Sequence, residues 1–328
     1  MDSELRQDLV SGDWILIAPK RGKRTHQFSQ STKRKKVSKE NCDFEHAGEQ
    51  EGTAIINSYP STAKWQTRII LNKFPVVYPL EVPSTPKKIG PIAVISGTGH
   101  HEVLVTRDHH KNFSGLSRGE ALLVFKQFLA RYQTLSKNKN ITYISFFQNW
   151  GPTAGASLYH PHYQFIAIPV IPPDVAHSLK GAKRYFQNHR SCVHCAQIAW
   201  ERKEKKRIVF ENRQAVVFCP FVSKFPFEIR LFPKHHIPFF ENTDPNTLRG
   251  ITDALQVALR RLKISLKDPD YNFFIHTAPI KNKNSHRYYH WHIEIIPKTT
   301  VRAGFELGTG IEINVVDPDD AARLLRNA

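Results

Sequence analysis

Cysteine is scarce in this sequence, and long apolar runs are missing. Four cysteines in 328 residues are too few and too unevenly spaced to form a disulfide framework. No stretch approaches the roughly 18 uninterrupted apolar residues of a membrane span, and the opening segment has neither the basic nor the apolar region of a signal peptide. These absences predict a soluble cytoplasmic protein.

Acidic residues are also in the minority. The chain has 47 Lys and Arg against 29 Asp and Glu, which leaves a formal charge of +18. Such a balance favours anionic partners, including nucleotides, sugar phosphates, nucleic acid and acidic lipid heads. Part of the excess lies in the polar stretch 26–41, with its run "KRKK", which we predict to be a mobile loop. A basic run of this kind also fits a nucleic-acid or nuclear-import role.

The chain contains an internal repeat. The segments "HEVLVTRDHHKNF" and "FEIRLFPKHHIPF" share an alternating strand, a Glu, a His-His pair and a Phe. In this alignment Glu102 matches Glu228, and His110 matches His236. Each copy continues with a helical pattern, an apolar strand and a strand opened by His-x-His. This order predicts an α+β fold of two tandem domains, each an antiparallel sheet with a packed helix.

Helix-start signals locate the helix of each copy. Ser117 and Glu120 form a capping box in the first copy, and the Asp-Pro pair at 244–245 marks the start in the second. A Pro-rich segment, "IPVIPPD", separates the copies. We therefore divide the chain into an N-terminal domain of residues 1–180 and a C-terminal domain of residues 181–328.

The cysteine spacing of the second copy indicates metal binding. Cys192 and Cys195, in "CVHC", combine with His236 and His290 into a Cys2His2 set of the kind that tetrahedral zinc prefers. Cys219 lies inside the apolar segment "AVVFCPF" and is predicted to be a packed core thiol. A redox role for the C-x-x-C pair is disfavoured because no βαβ pattern surrounds it.

The first copy offers a related set with one substitution. Its members are Cys42, Glu45, His160 and either His110 or the adjacent His109. A carboxylate stands where the second cysteine would be, and zinc accepts carboxylate oxygen. A second metal site is therefore predicted.

The stretch "GASLYHPHYQF" sets two histidines on either side of a proline. Residues two apart on a strand share a face, so His160 and His162 point the same way, and Pro161 stiffens the link. If metal holds His160, its backbone can orient His162, and a neutral imidazole is a competent nucleophile toward phosphorus. Gln164 can donate a hydrogen bond to developing negative charge.

The residues before this pair are suited to phosphate. Gly151, Gly155 and Ser157 are small enough for backbone N–H groups to approach phosphate oxygens. We therefore predict transfer of a phosphoryl-containing group through a covalent intermediate on His162.

Four segments in the same order resemble the galactose-1-phosphate uridylyltransferases and their relatives in the histidine-triad superfamily. These segments span nearly the whole chain: "GDWILIAPKRGKR" (12–24), "NKFP" (72–75), "FFQNWGPTAGASLYHPHYQ" (146–164) and "HWHIEIIPKTTVRAGFELGTG" (290–310). The resemblance implies a ping-pong enzyme with a nucleotidylated histidine, one or two zinc ions and a homodimer.

Roles follow from the resemblance by motif. It implies that His162 is the nucleophile, that Gln164 stabilises the intermediate, and that His160 is held by metal. For substrate it implies phosphate contacts by Asn149 and Ser157, nucleotide contacts by Arg21, Arg24 and Asn72, and a sugar contact by Glu306. It also offers a different metal set in the second half: His276, His290 and His292.

The resemblance leaves the substrate open. The leading expectation is a uridylyltransferase acting on UDP-glucose and galactose 1-phosphate. An ADP-sugar or dinucleoside polyphosphate phosphorylase is the alternative within the same chemistry. A non-catalytic, basic nucleic-acid-binding protein is the alternative from another class, although the intact His-Pro-His-x-Gln motif disfavours it.

Overall fold

The computed structural model describes residues 2–22, 34–49, 51–80 and 85–328. The first half of the chain contributes β1 (Glu4–Gln7), β2 (Trp14–Ile17), β3 (Ile55–Tyr59), β4 (Thr67–Leu71), β5 (Lys87–Ile89), β6 (Ile92–Val94), β7 (His100–Thr106), β8 (Tyr143–Trp150) and β9 (His162–Ile168). The second half contributes β10 (Ile208–Glu211), β11 (Ala215–Phe218), β12 (Ile229–Pro233), β13 (Tyr271–His276), β14 (His292–Pro297) and β15 (Ile313–Asn314). The helices are α1 (Pro19–Gly22), α2 (Arg118–Leu135), α3 (Pro173–His189), α4 (Val193–Glu204), α5 (Pro245–Ser265), α6 (Gly304–Thr309) and α7 (Pro318–Arg326).

Ten of the described strands form one antiparallel sheet. Its order is β10-β11-β12-β14-β13-β8-β9-β7-β4-β3, which reads as two five-stranded halves related by a pseudo-twofold axis between β13 and β8. Strand β14 of one half corresponds to β9 of the other, and β12 corresponds to β7. The α+β class and the duplicated histidine-triad-like plan are thereby confirmed, and the two copies share a single sheet.

The two faces of the sheet have different characters. On one face, the buried side chains of alternate strand residues pack against α2 and α5 in one hydrophobic core that includes residues of both halves. Phe146, Phe165 and Phe273 belong to that core. The opposite face carries polar side chains among its alternate positions: Asn149, Gln164 and Glu294, with His162 and His292 at the strand starts.

Both predicted helix starts are present. The Ser117 hydroxyl accepts from Glu120 N, and the Glu120 carboxylate accepts from Ser117 N, which completes the capping box of α2. The Asp244 carboxylate accepts from the N–H groups of Asn246 and Thr247 at the start of α5. Local sequence therefore determines where these helices begin.

The boundary of the predicted domains, at residue 180, falls within α3 and stays a prediction. Half of the predicted mobile loop, residues 26–33, lies outside the described residues. From Arg34 onward the segment is described. The Arg34 side chain donates to Asp268 Oδ2 and lies over the Trp150 ring. Within the described ranges, no helix is both long enough and apolar enough to cross a membrane.

Candidate active site

His162 stands at the start of β9, on the polar face of the sheet. Its side chain is buried, and its Nδ1 lies 2.9 Å from the carbonyl oxygen of His160. The carbonyl can only accept, so Nδ1–H donates and Nε2 keeps its lone pair. Burial lowers the pKa of His162, so the imidazole is neutral at pH 7. A neutral ring with an unprotonated Nε2 is the form that attacks phosphorus.

A buried histidine that motif reasoning missed orients Gln164. His101 Nδ1 accepts from Val76 N at 3.2 Å, and its Nε2 lies 2.9 Å from Gln164 Oε1. With Nδ1 accepting, Nε2–H donates to the Gln164 oxygen, which turns the amide NH2 of Gln164 outward as a donor. Asn72 Nδ2 also lies 2.9 Å from His101 Nε2, but because that nitrogen carries the proton, its hydrogen-bond partner is the Gln164 oxygen. The signal for His101 is the His-His pair that opens β7.

A second missed residue packs on the nucleophile. The buried ring of Phe44, in the turn "CDFE", has its centroid 5.0 Å from that of His162 and 5.8 Å from that of His160. This turn therefore covers the histidine pair and excludes water from it.

The two predicted phosphate-contacting residues, Asn149 and Ser157, lie in β8 and in the loop that follows it. Asn149 is half-buried on the polar face near the end of β8, and its Oδ1 accepts from Asn272 Nδ2 at 2.8 Å. Ser157 is exposed near the end of the loop. Asn149 thus shares the polar face of the sheet with His162, and the phosphate contacts of Asn149 and Ser157 stay predictions.

The first Cys/His cluster contains His109, and His110 lies outside it. The ligand atoms of Cys42, His109 and His160 all lie within 4.8 Å of one another, with 3.1 Å between the two Nδ1 atoms and 3.5 Å from Cys42 Sγ to His160 Nδ1. His110, which the repeat alignment matched with His236, is exposed, so His109 is the member of the adjacent pair that lies in the cluster.

The reason is a one-residue slip in the repeat alignment. Leu104 pairs with Tyr163 in the first half, and Leu231 pairs with Ile293 in the second. Because Tyr163 and Ile293 each follow the second His of His-x-His, Leu104 corresponds to Leu231, and His236 then corresponds to His109. The alignment of Glu102 with Glu228 was therefore shifted by one residue, and a slip of one moves a side chain to the other face.

Glu45 lies at the margin of this cluster. Its Oε1 is buried, 3.9 Å from His109 Nδ1, and accepts no hydrogen bond from the described residues. Its Oε2 accepts from Arg107 Nη1 at 3.3 Å. A tetrahedral zinc ion separates its ligand atoms by roughly 3.3–3.6 Å, so the three-residue cluster fits zinc, and the unsatisfied Glu45 oxygen suits a fourth ligand.

The second cluster contains the predicted Cys2His2 set. The ligand atoms of Cys192, Cys195, His236 and His290 lie within 4.8 Å of one another, and Cys195 Sγ is 3.4 and 3.5 Å from the Nδ1 atoms of His236 and His290. Cys192 is the N-cap of α4, and Cys195 lies in its first turn. A hydrogen bond from Cys195 lowers the pKa of the Cys192 thiol, which favours the thiolate that zinc binds.

A third group surrounds the second His-x-His. His290 belongs to the cysteine cluster, whereas His276 and His292 gather with Glu294 at the wall of a cavity of about 560 Å³. His292 repeats the geometry of His162, with Nδ1 3.1 Å from the carbonyl oxygen of His290. However, Glu294 replaces the Gln of the first half, and its Oε1 lies 3.4 Å from His292 Nε2.

The charge of Glu294 disfavours phosphate at this second position. Burial raises the pKa of Glu294, but the opposing effect of Arg230 and His276 is larger, so the pKa of Glu294 lies well below its usual range. An ionised carboxylate beside Nε2 repels the anion that a nucleophile would have to approach. Of the two histidines, His162 therefore has the surroundings better suited to attack on a phosphate.

Three further predicted residues lie elsewhere or outside the described ranges. Arg21 is exposed in α1, and Arg24 lies outside the described residues. Glu306 lies in α6, where its carboxylate accepts from Ala303 N at 3.1 Å. Their contacts with nucleotide and sugar stay predictions.

Known proteins share this architecture along their full length. An ADP-glucose phosphorylase of Arabidopsis thaliana is 34% identical over 98% of this chain and 92% of that protein. A galactose-1-phosphate uridylyltransferase of Thermotoga maritima is 27% identical over 98% of each chain. The crystal structure of an ADP-glucose phosphorylase from Arabidopsis thaliana with bound ADP-glucose matches with a TM-score of 0.83 and 30% identity, covering 100% of this chain and 99% of that one.

The fold of two matched half-sheets and these full-length relatives place the chain among the nucleotidyltransferases and phosphorylases of the histidine-triad superfamily. The chain belongs to the galactose-1-phosphate uridylyltransferase-like family of the histidine-triad superfamily. A family model described as "Domain of unknown function (DUF4921)" also matches residues 84–327.

Proposed function

We propose that this protein is an ADP-sugar phosphorylase that splits an ADP-sugar with inorganic phosphate through an adenylyl group on His162. The observation that carries the chemistry is the contact between His162 Nδ1 and the His160 carbonyl, because it leaves Nε2 as the nucleophile. Adenine is favoured over uridine because the ADP-glucose phosphorylase is the more similar relative, at 34% identity against 27%. Uridylyl transfer to galactose 1-phosphate, the leading expectation from sequence, is the competing candidate.

The reaction has two displacements at one phosphorus atom. First, His162 Nε2 attacks the α-phosphorus, an N–P bond forms, the bond from the α-phosphorus to the bridging oxygen breaks, and sugar 1-phosphate leaves. Then an oxygen of inorganic phosphate attacks the same phosphorus, the N–P bond breaks, and ADP leaves with His162 restored. The outward amide of Gln164 donates to the charge that develops on the phosphoryl oxygens.

Zinc in the first cluster would rest on Cys42, Glu45, His109 and His160. When bound, the ion fixes the position of the ligands it holds. Because His160 supplies the carbonyl that orients His162, a fixed His160 keeps Nε2 aimed at the substrate. We propose that Cys192, Cys195, His236 and His290 hold a second, structural zinc ion.

The experiment is to incubate the purified protein with ADP-glucose or with UDP-glucose and to measure the intact mass. An adenylyl adduct that disappears on addition of inorganic phosphate, with release of ADP, is the expected result. The His162→Asn variant should form no adduct. His292→Asn is the matched control, because His292 makes the same contact to its own i−2 carbonyl and should leave the adduct intact.

Each alternative has its own outcome. A uridylyl adduct that galactose 1-phosphate removes would establish the uridylyltransferase instead. An adduct retained in His162→Asn would refute His162 as the nucleophile. If ADP-glucose, UDP-glucose and a dinucleoside polyphosphate all leave the mass unchanged, the proposed function is wrong. The predicted homodimer is checked in the same sample by light scattering.

A further inference from the structure

Asp270, in the half without the nucleophile, holds the loop that leads to the nucleophile. It lies directly before β13, and its side chain is 1% exposed. Its Oδ2 accepts from Thr153 N at 2.9 Å and from Thr153 Oγ1 at 2.7 Å. Hydrogen bonds to an ionised group are among the stronger ones in proteins. One carboxylate oxygen therefore fixes both the backbone and the side chain of Thr153.

The loop fits closely around this carboxylate. Gly151 has a φ of +87°, and a Cβ added to it would lie 1.8 Å from Asp270 Oδ1. A side chain at Gly151 would therefore displace Asp270. Two residues further along β13, Asn272 Nδ2 donates to Asn149 Oδ1 and to Ala154 O, each at 2.8 Å.

The other oxygen of Asp270 holds the basic segment. Arg34 Nη2 donates to Asp270 Oδ1 at 2.9 Å, and Arg34 Nη1 donates to Asp268 Oδ2 at 2.5 Å. The Arg34 guanidinium lies 4.4 Å from the centre of the Trp150 ring, within cation–π range. Asp270 thus joins the basic segment and the phosphate-facing loop at one buried point.

We propose that Asp270 is a positioning residue, which acts through Thr153 to hold the segment from Asn149 to Ser157 in the conformation that receives the substrate's phosphates. The catalytic part of this inference rests on the proposed function. Nothing in the sequence motif indicates Asp270, because the contact joins residues 117 positions apart. A loss of this support displaces the loop, and a displacement of about 1 Å can cost roughly 100-fold in rate.

Two measurements on the full-length Asp270→Ala variant test the proposal. Hydrogen–deuterium exchange of residues 151–157 reports the loop without requiring turnover, and the Thr153 amide should exchange at least 10-fold faster than in the unmodified protein. The single-turnover rate of His162 adenylation from ADP-glucose should fall by roughly 10- to 100-fold, with a much smaller change in the KM for ADP-glucose.

Two control variants distinguish the Arg34 contact of Asp270 from its Thr153 contact, and one of them replaces Asp270→Ala if that variant does not fold. Asp268 has a φ of 61°, which Asn tolerates better than Ala, so Asp268→Asn is the control; it removes the charge that pairs with Arg34, and Thr153 exchange should stay unchanged. Thr153→Val, at an exposed position, removes the Oγ1 contact and keeps the backbone contact, so it should shift exchange and rate in the same direction by less. If Asp270→Ala does not fold, this variant decides the question.

The outcomes distinguish this inference from the proposed function. Unchanged exchange at Thr153 in folded Asp270→Ala overturns the inference, whether or not the unmodified protein forms an adduct. Faster exchange with an unchanged adenylation rate also overturns it, because Asp270 would then only stabilise the loop. If the unmodified protein forms no adduct, the proposed function fails, and the exchange measurement alone decides whether Asp270 holds the loop.

Discussion

Three histidines present the same ring nitrogen, Nδ1, to their Cys/His clusters. His109, His160 and His236 each donate Nε2–H to a backbone carbonyl at 2.8 Å, from Val37, Thr106 and Arg287 respectively. Each therefore offers the Nδ1 lone pair to its cluster. Ligands held by a second hydrogen bond are pre-oriented for metal, so the orientation of each histidine is compatible with zinc binding.

Replacing His109 and His110 one at a time tests which of the two binds metal in the first cluster. His109→Asn should lose about one equivalent of zinc per chain, because it removes one of three buried ligand atoms, whereas His110→Asn should retain the full content. Metal analysis of both purified variants is the measurement. Equal zinc content in the two would show that the first cluster does not bind through His109.

Motif and spacing predicted most residues of the site but not their supports. The sequence alone indicated His160, His162 and Gln164, whose pattern is local, and Cys42, by comparison with the cysteine pair of the second copy. His101, Phe44 and Asp270 were missed because they reach the site from other elements, and only the folded sheet brings them there. Residues that orient a functional group are harder to predict than the group itself, because any hydrogen-bonding type can serve.

At the scale of elements, the starts of the helices could be predicted from the sequence, whereas the alignment of the matching strands could not. The capping signals of α2 and α5 lie within four residues of each helix start and need no tertiary contact. The match of β7 with β12 depended on two similar-looking segments and was wrong by one residue. Strand register is set by pairing and burial, which a comparison of the segments cannot show.

The cap of α5 provides an element-scale prediction. Asp244→Ala removes an acceptor for two N–H groups, Asn246 N at 2.9 Å and Thr247 N at 3.1 Å. It should lower the free energy of unfolding by about 1 kcal/mol, measured by denaturant titration at pH 7. Ser117→Ala in the α2 capping box is the comparison and should cost a similar amount.

The same cap has a predictable pH dependence. Hydrogen bonding from Thr247 lowers the pKa of Asp244 in the folded protein. The contribution is thus fully present above the unfolded pKa, near 4, and is lost as the pH falls through the lower, folded value. The stability difference between the unmodified protein and Asp244→Ala should therefore shrink in acid, and a difference that grew in acid would contradict the assignment.

At the scale of the whole molecule, the two repeats are one unit. The core under α2 and α5 contains residues of both halves, and β8 pairs with β13 over five residue pairs. The repeat predicted two similar copies, but no local pattern shows that strands more than 100 residues apart join edge to edge. Long-range pairing is what the sequence leaves unspecified.

Removal of metal tests whether the two halves unfold together. If zinc binds both clusters, a chelator should lower the midpoint of thermal unfolding, because an ion that binds only the folded state stabilises it. The shared core predicts one cooperative transition before and after chelation, followed by calorimetry. Two separate transitions would show that the halves unfold independently. The Cys195→Ser variant damages only the second cluster, so the transition that it shifts would be that of the second half.

The junction of β8 and β13 also decides what the chain could become if it were cut. A break between α3 and α4 would leave β8 as an open edge on one fragment and β13 as an open edge on the other. Open edges recruit strands, and the strand that best covers each is on the other fragment. His162 would lie on one piece and Asp270 on the other, so the proposed activity should return only when the two pieces reassemble.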